Sequence, residues 1–225
     1  MYFRLVIARM LLNDNLPFLR PTDTVEMALG LLQEFHTESL ALVDGSVFKG
    51  MISEDFLLDQ SDEEAIMADL KAPVQLMRSH PDNHIFEVTA MMVEHQMRVI
   101  PVVDEDNEYL GLIDTESILQ FLGGFAVFTE PGAVLMLDMP SRDYSLAELA
   151  RIVESNDAHV LSVWVRNKPG EGKIEVVLKV NRQDASGIIS TLERYEYQVI
   201  GSFSRQDYYD DLKERFDSFM RYLNT

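Results

Sequence analysis

Apolar and polar positions along the first half of the chain fall into one pattern written twice. Pro21 corresponds to Pro81, Val25 to Ile85, Glu34 to Glu94, and Leu40-Ala41-Leu42-Val43-Asp44 to Ile100-Pro101-Val102-Val103-Asp104, all at an offset of 60 residues. One residue is then gained in a polar turn, after which Gly50 corresponds to Gly111, Ile52 to Ile113 and Leu58 to Leu119. A single insertion in a turn is what a duplicated unit tolerates. Each copy opens on a Pro-containing turn in which Thr22 or Asp23, and Asp82 or Asn83, are expected to cap a helix. Val25, Ala28, Leu29, Leu32 and Phe35 recur at helical spacing, as do Val88, Met91, Met92 and His95, which places His95 on the buried-looking face. Short strands at residues 40–43 and 100–103, a polar turn, second strands at 48–52 and 109–113 and a closing helix complete each copy. Units of about 60 residues are small for independent stability, so the two copies are expected to pack on each other.

The period changes after Gly123-Gly124 and Glu130-Pro131-Gly132. Residues 134–139 predict a strand. Ser141 or Ser145 opens a helix with Leu146, Leu149, Ile152 and Val153 on one face. Residues 160–165 and 174–180 predict strands joined by the turn at 167–172. Asp184 caps a helix through Tyr195 with Ile188, Ile189 and Leu192 inward, and residues 198–203 predict a last strand. The order β-α-β-β-α-β is the ferredoxin-like plan. In residues 206–223 an apolar stripe of Leu212, Phe216, Phe219, Met220 and Leu223 predicts a terminal helix. The fold class is therefore α+β (α/β). Its expected domains are 1–60 (first repeat with an N-terminal segment), 61–124 (second repeat), 125–205 (ferredoxin-like) and 206–225 (terminal helix).

The duplication, carried by Ser39-Leu40-Ala41-Leu42-Val43-Asp44 with Gly50-Met51-Ile52-Ser53 and by Val99-Ile100-Pro101-Val102-Val103-Asp104 with Gly111-Leu112-Ile113-Asp114, resembles a tandem pair of cystathionine-beta-synthase (CBS) domains. The resemblance implies a pseudo-twofold pair whose clefts hold adenine nucleotides in many members. The family's nucleotide motif has a hydroxyl three residues after the Gly and an Asp six after it. The first copy keeps Ser53, but Phe56 stands at the sixth position and the acid is one step early, at Asp55. One step on a helix is a rotation of about 100°, so Asp55 is expected to point elsewhere. The second copy has Asp114 in the hydroxyl position and Ser117 in the acid position, which would set a carboxylate against a phosphate. The residues that the resemblance assigns to an adenosine-type ligand are Thr22, Asp23, Leu40, Ala41, Ser53, Asp55, Pro81, Ile100, Pro101, Asp114 and Ser117. AMP, ADP, ATP and S-adenosylmethionine are the candidate regulatory ligands.

The second half resembles an ACT domain, a small-ligand regulatory module. That family places a Gly in the turn from first strand to helix, where this chain has Pro140-Ser141-Arg142-Asp143-Tyr144. Tyr144 is expected to fill the ligand space, and Arg142 is the group there able to hold a carboxylate. A CBS pair followed by an ACT-like domain also resembles the acetoin-utilisation accessory proteins and related bacterial CBS-domain proteins, and implies a homodimer.

Of 225 residues, 47% are apolar and 25% charged, a globular composition. With 19 Lys and Arg against 38 Asp and Glu the net charge is −19, which excludes a general nucleic-acid binder and disfavours anionic membranes. Cysteine is absent, which removes thiolate chemistry and Cys-ligated zinc. The longest uncharged stretch, residues 117–129, has 13 residues against the about 20 needed to cross a bilayer, and no signal-peptide core precedes it. A cytoplasmic protein is expected. His80 and His84 have a ligand-like spacing that Pro81 breaks, and no P-loop, dinucleotide fingerprint or nucleophile elbow occurs, so neither a metal site nor an enzyme is expected. Two functions stand: a non-catalytic sensor whose cleft ligand alters a dimer or its contact with a protein target, and a ligand-free interaction protein with degenerate sites.

Overall fold

The computed structural model describes residues 7–71 and 77–204. The terminal segment with the Leu212–Leu223 stripe lies outside them. The chain divides into two compact units, Met1–Gly123 and Gly124–Thr225.

The first unit contains the repeat. Copy one comprises helix α1 (Val25–Glu34), strands β1 (Ser39–Asp44) and β2 (Val47–Ser53), and the short helix α2 (Glu54–Leu58); copy two comprises α3 (Ile85–Glu94), β3 (Val99–Val103), β4 (Tyr109–Asp114) and α4 (Thr115–Gly123). Each strand pair is antiparallel, and both carry the same irregularity. The register jumps between Leu42↔Gly50 and Val43↔Phe48, and between Val102↔Gly111 and Val103↔Tyr109, leaving Lys49 and Leu110 as extra residues. Gly50 and Gly111 follow them at φ +146°, a conformation that needs glycine. The repeated Gly therefore has a structural cause, the bulge itself.

The helix caps differ from expectation. Asp23 closes the preceding turn, its carboxylate accepting from Arg20 N at 2.7 Å, and Asn83 does the same for His80 N at 2.7 Å. That commits both side chains upstream and moves each cap one residue on. Thr24 caps α1, accepting from Met27 N, and His84 caps α3, accepting from Phe86 N, while Glu87 reaches back to His84 N and the Asn83 amide. These bonds hold the Glu87 carboxyl below its ordinary pKa, led by the one from Asn83. Thr22 is exposed and caps nothing. His95 is also corrected: it ends α3 and is exposed, because the chain turns left-handed at Gln96 (φ +54°), as it does at the equivalent His36 (φ +51°).

Each copy is completed by a segment that lies outside its own helix-strand-strand-helix run. Ala8 N donates to Asn83 O (2.9 Å) and Arg9 N to Pro81 O (3.0 Å), while Met67 N donates to Asp23 O (2.9 Å) and Ala68 N to Pro21 O (2.9 Å). The chain entering copy one thus packs on copy two, and the chain leaving copy one folds back on it. Ala8 and Leu11 share a core with Ile85, Val88, Ile100 and Ile113. Leu19, Val25, Ala28, Leu32, Leu40 and Ala41 share another with Val99, Val103 and Leu112, which joins the copies.

Tyr109 sits at this junction, edge-on to Phe18 and stacked over Phe48. Its hydroxyl is buried and has no partner among the described residues. Burial pushes the phenol well above its ordinary pKa. An unsatisfied buried hydroxyl costs about 1–3 kcal/mol, so Tyr109→Phe is expected to raise stability by about 1 kcal/mol in urea denaturation. A loss would show that the hydroxyl is partnered in solution.

The second unit comprises α5 (Ala126–Thr129), β5 (Ala133–Pro140), α6 (Leu146–Glu154), β6 (Val160–Lys168), β7 (Lys173–Val180), α7 (Ser186–Arg194) and β8 (Gln198–Phe203). The sheet order β6-β7-β5-β8, all antiparallel, is the ferredoxin-like one. Leu135, Leu137, Val176 and Leu178 meet Leu149, Ile152, Ile188 and Leu192 in the core, so both long helices cover one face of the sheet. Ser145, not Ser141, caps α6, accepting from Glu148 N at 3.3 Å. Leu146 at its first position is exposed rather than inward. Asp184 does not cap α7: its carboxylate closes a turn onto Ser186 N and Oγ, which lowers its pKa, and Ala185 stands at the cap.

Candidate functional site

The first unit contains a cleft of about 420 Å³ built from both copies. Copy one contributes Glu38 and Ser39 at the start of β1 and Ser53, Glu54 and Asp55 at the β2–α2 junction. Copy two contributes His95 to Val99, the turn from α3 into β3. The local reason is the cap. Ser53 Oγ accepts from Phe56 N (3.3 Å) and Glu54 N donates to Glu38 O (2.9 Å), so the first turn of α2 is pinned beside the start of β1. Thr115 N donates to Arg98 O in the same way in copy two.

Asp55 lines this cleft together with Ser53, correcting the expectation that its one-step displacement would turn it away. Only five residues of helix follow Ser53, and Phe56 packs against the core instead of facing the cleft, which leaves Glu54 and Asp55 on the open side. The Asp55 carboxylate makes no hydrogen bond or ion pair among the described residues. Three carboxylates, Glu38, Glu54 and Asp55, line the cleft against one guanidinium, Arg98. Arg98 pairs with Glu38 at 3.0 Å, both side chains being exposed, so the pair bridges the copies at little energetic gain.

The remaining candidates are dispersed. Leu40, Ala41 and Ile100 are fully buried in the cores, and Pro101 is buried beside them. Pro81 is buried with its carbonyl taken by Arg9 N, and Asp23 is spent on its turn. Asp114 and Ser117 do come together, but around a helix cap: Asp114 Oδ1 accepts from Ser117 N (2.7 Å) and Oδ2 from Asn13 Nδ2 (2.7 Å). Burial opposes the charge on Asp114, but the bonds from Ser117 and Asn13 outweigh it and hold the carboxyl below its ordinary pKa. A Cβ on Gly111 would meet the Leu12 side chain at 3.2 Å, so the chain's own entry segment covers the ground that corresponds to the first cleft's Gly50 strand. His80 and His84 both accept backbone N–H groups in turns, and no group of three or more His, Asp or Glu among the described residues is arranged to hold a metal.

In the second unit Arg142 is exposed in the short helical turn Ser141–Asp143, 3.5 Å from Asp143. Tyr144 packs against the core. Neither lines the cleft of the first unit or the groove of about 410 Å³ in the second. Sequence reasoning missed Glu38, Gln96 and Arg98 as lining residues; the signal was the repeat offset itself, which makes Arg98 the counterpart of Glu38. No described helix is long and apolar enough to cross a membrane.

Residues 79–124 match the family model described as CBS domain. Copy one has the same element order and the same bulge, so the first unit has the fold of a CBS domain pair. The chain is 24% identical over 93 residues to the CBS domain-containing protein YhcV of Bacillus subtilis, and 24% identical over 98 residues to the uncharacterized protein MJ0188 of Methanocaldococcus jannaschii. These matches cover 39% and 44% of this chain and 65% and 37% of the relatives, so the chain spans less than two thirds of either curated relative. Among solved structures, a CBS domain pair/ACT domain protein from Thermotoga maritima shows 22% identity and a TM-score of 0.47 over 52% of this chain and 95% of that one. CBSX2 in complex with AMP shows 19% identity and a TM-score of 0.45 over 52% and 95%.

Proposed function

We propose that the first unit is a non-catalytic regulatory module that takes an adenosine-type ligand in the cleft between residues 53–55 and 95–99. The observation carrying this reading is that Ser53, the hydroxyl the nucleotide motif keeps, and Asp55, the acid one step before its motif position, line one cleft closed by the other copy. Ser53 Oγ accepts from its own helix and keeps its proton to donate. Asp55 offers a two-oxygen acceptor suited to a pair of ribose hydroxyls. The charge balance then selects among adenosine compounds. Three carboxylates against one already paired guanidinium repel a polyphosphate, whereas adenosine or the sulfonium of S-adenosylmethionine meets no such penalty. Regulation requires that the ligand bind two arrangements of a homodimer, or of its complex with a protein target, unequally. A ligand-free interaction protein is the second reading, favoured by the capping role of Asp114 and by Leu12 over Gly111.

The test is a thermal-shift panel of adenosine, S-adenosylmethionine, AMP, ADP and ATP. A ligand at about a hundred times its dissociation constant stabilises by about 2.7 kcal/mol. Adenosine or S-adenosylmethionine is expected to give the largest shift and ATP the smallest, and Asp55→Asn is expected to abolish it. No shift with any of the five would leave the ligand-free reading.

A further inference from the structure

The sheet of the second unit has one face covered by α6 and α7 and a second face that the described residues leave open. On that face the register aligns the side chains in rows. Trp164, Val177, Met136 and Gly201 form one row across all four strands, and Ser162, Lys179, Val134 and Phe203 form the next. Trp164 is 52% exposed and Phe203 59%, while Phe128 of α5, 60% exposed, flanks the β6 edge. Trp164 and Phe128 line a groove of about 410 Å³ with Val134, Ser162 and Val177, and Phe203 stands beside it, opposite Val134 in the register. A Cβ on Gly201 would meet the Phe203 ring at 3.1 Å, so this glycine leaves room for that ring to lie against β8. The Ser162 hydroxyl lies buried beneath with no partner among the described residues.

The charge of this face opposes that of the protein. Arg166, Lys168, Lys173 and Lys179 stand on it against two carboxylates, Asp138 and Glu175. Asp138 holds Lys168 (2.5 Å) and Lys173 (2.8 Å), which keep its carboxyl below its ordinary pKa, and Glu175 holds Arg166 at 2.8 Å. An excess of two cations around an apolar trough, in a chain of net charge −19, calls for an acidic amphipathic occupant.

We propose that this occupant is the chain's own residues 206–225, seated on the open face of their own unit. The segment follows directly from β8, whose last residue, Phe203, is on the face. It combines the apolar stripe of Leu212, Phe216, Phe219, Met220 and Leu223 with five acids, Asp207, Asp210, Asp211, Glu214 and Asp217, against three bases. Eighteen residues as a helix reach about 27 Å, and four strands span about 14 Å between the outer two, so the stripe can cross from the β8 edge to Trp164.

Trp164 is the chain's single tryptophan, so its fluorescence reads the face directly. In the unsubstituted 225-residue chain Trp164 is expected to emit in the blue and to resist acrylamide, independently of protein concentration. Phe216→Asp/Phe219→Asp is expected to shift the emission to the red and raise quenching several-fold with an unchanged far-ultraviolet spectrum. A synthetic peptide of residues 205–225 added to that variant is expected to restore the blue emission. Asp210→Lys/Asp211→Lys, which leaves the apolar stripe intact, is expected to move both readings the same way by less. Quenching in the unsubstituted protein already equal to that of the Phe pair would overturn the proposal. So would shielding lost on dilution as the mass falls to that of one chain, because the occupant would then come from a second copy.

Discussion

Replacing Gly132 by alanine is expected to lower the stability of the second unit by about 3 kcal/mol, at the upper end of overpacking costs. A Cβ there would stand 1.8 Å from the carbonyl oxygen of Val180, 2.9 Å from its carbon and 3.3 Å from Asn181 Cα, all backbone atoms. No side-chain rotation relieves such a clash. Nor can either chain easily retreat. Val180 is fully buried at the end of β7, opposite Ala133 on one side and Val160 on the other. Ala133 N is bonded to Arg182 O at 2.7 Å, and the Gly132 carbonyl holds the Lys179 ammonium at 3.0 Å. Making room means parting β5 from β7 where β5 begins. Trp164 lies in the same sheet and is the chain's single tryptophan, so a urea titration followed by its fluorescence measures the loss. An unchanged midpoint would show that the chain entering β5 can shift without disturbing the sheet.

Ile100→Ala is expected to cost about 3 kcal/mol in the first unit, within the range for truncating a buried isoleucine. The family motif assigns this position to a ligand, whereas Ile100 is wholly inaccessible and packed with Ala8, Ile85, Val88 and Ile113. Ala8 comes from the segment entering copy one, so the cavity would also loosen the bond between that segment and copy two. Denaturation followed by circular dichroism reads the loss. A variant that keeps its stability but loses a thermal shift with adenosine compounds would return Ile100 to the site.

The caps and the cleft mark where sequence reasoning runs out. The sequence offers several oxygen-bearing side chains within three residues of each helix start, and local preference does not choose among them. Asp23 and Asn83 are taken by turns closing onto Arg20 and His80, and that choice moves the caps to Thr24 and His84. Rotation on an extended helix would turn Asp55 from the cleft; the helix has only five residues, and the core takes Phe56 instead. Arg98 carries no motif, and only its place opposite Glu38 makes it part of the cleft.

The sequence alone determined the duplication, the order of the long helices and the strands in both halves, the paired glycines of the repeat and the inward faces of most helices. Those properties are written in periodicity and turn chemistry, which act over a few neighbouring residues. Tertiary structure decided the exchange of the entry and return segments between the copies, the spending of Asp114 on Asn13 and Ser117, and the alignment of Trp164, Val177 and Met136 into one apolar row beneath a basic rim. Each of these depends on which distant segment lies alongside, and that is settled by the burial of whole faces rather than by the preferences of any one stretch of chain.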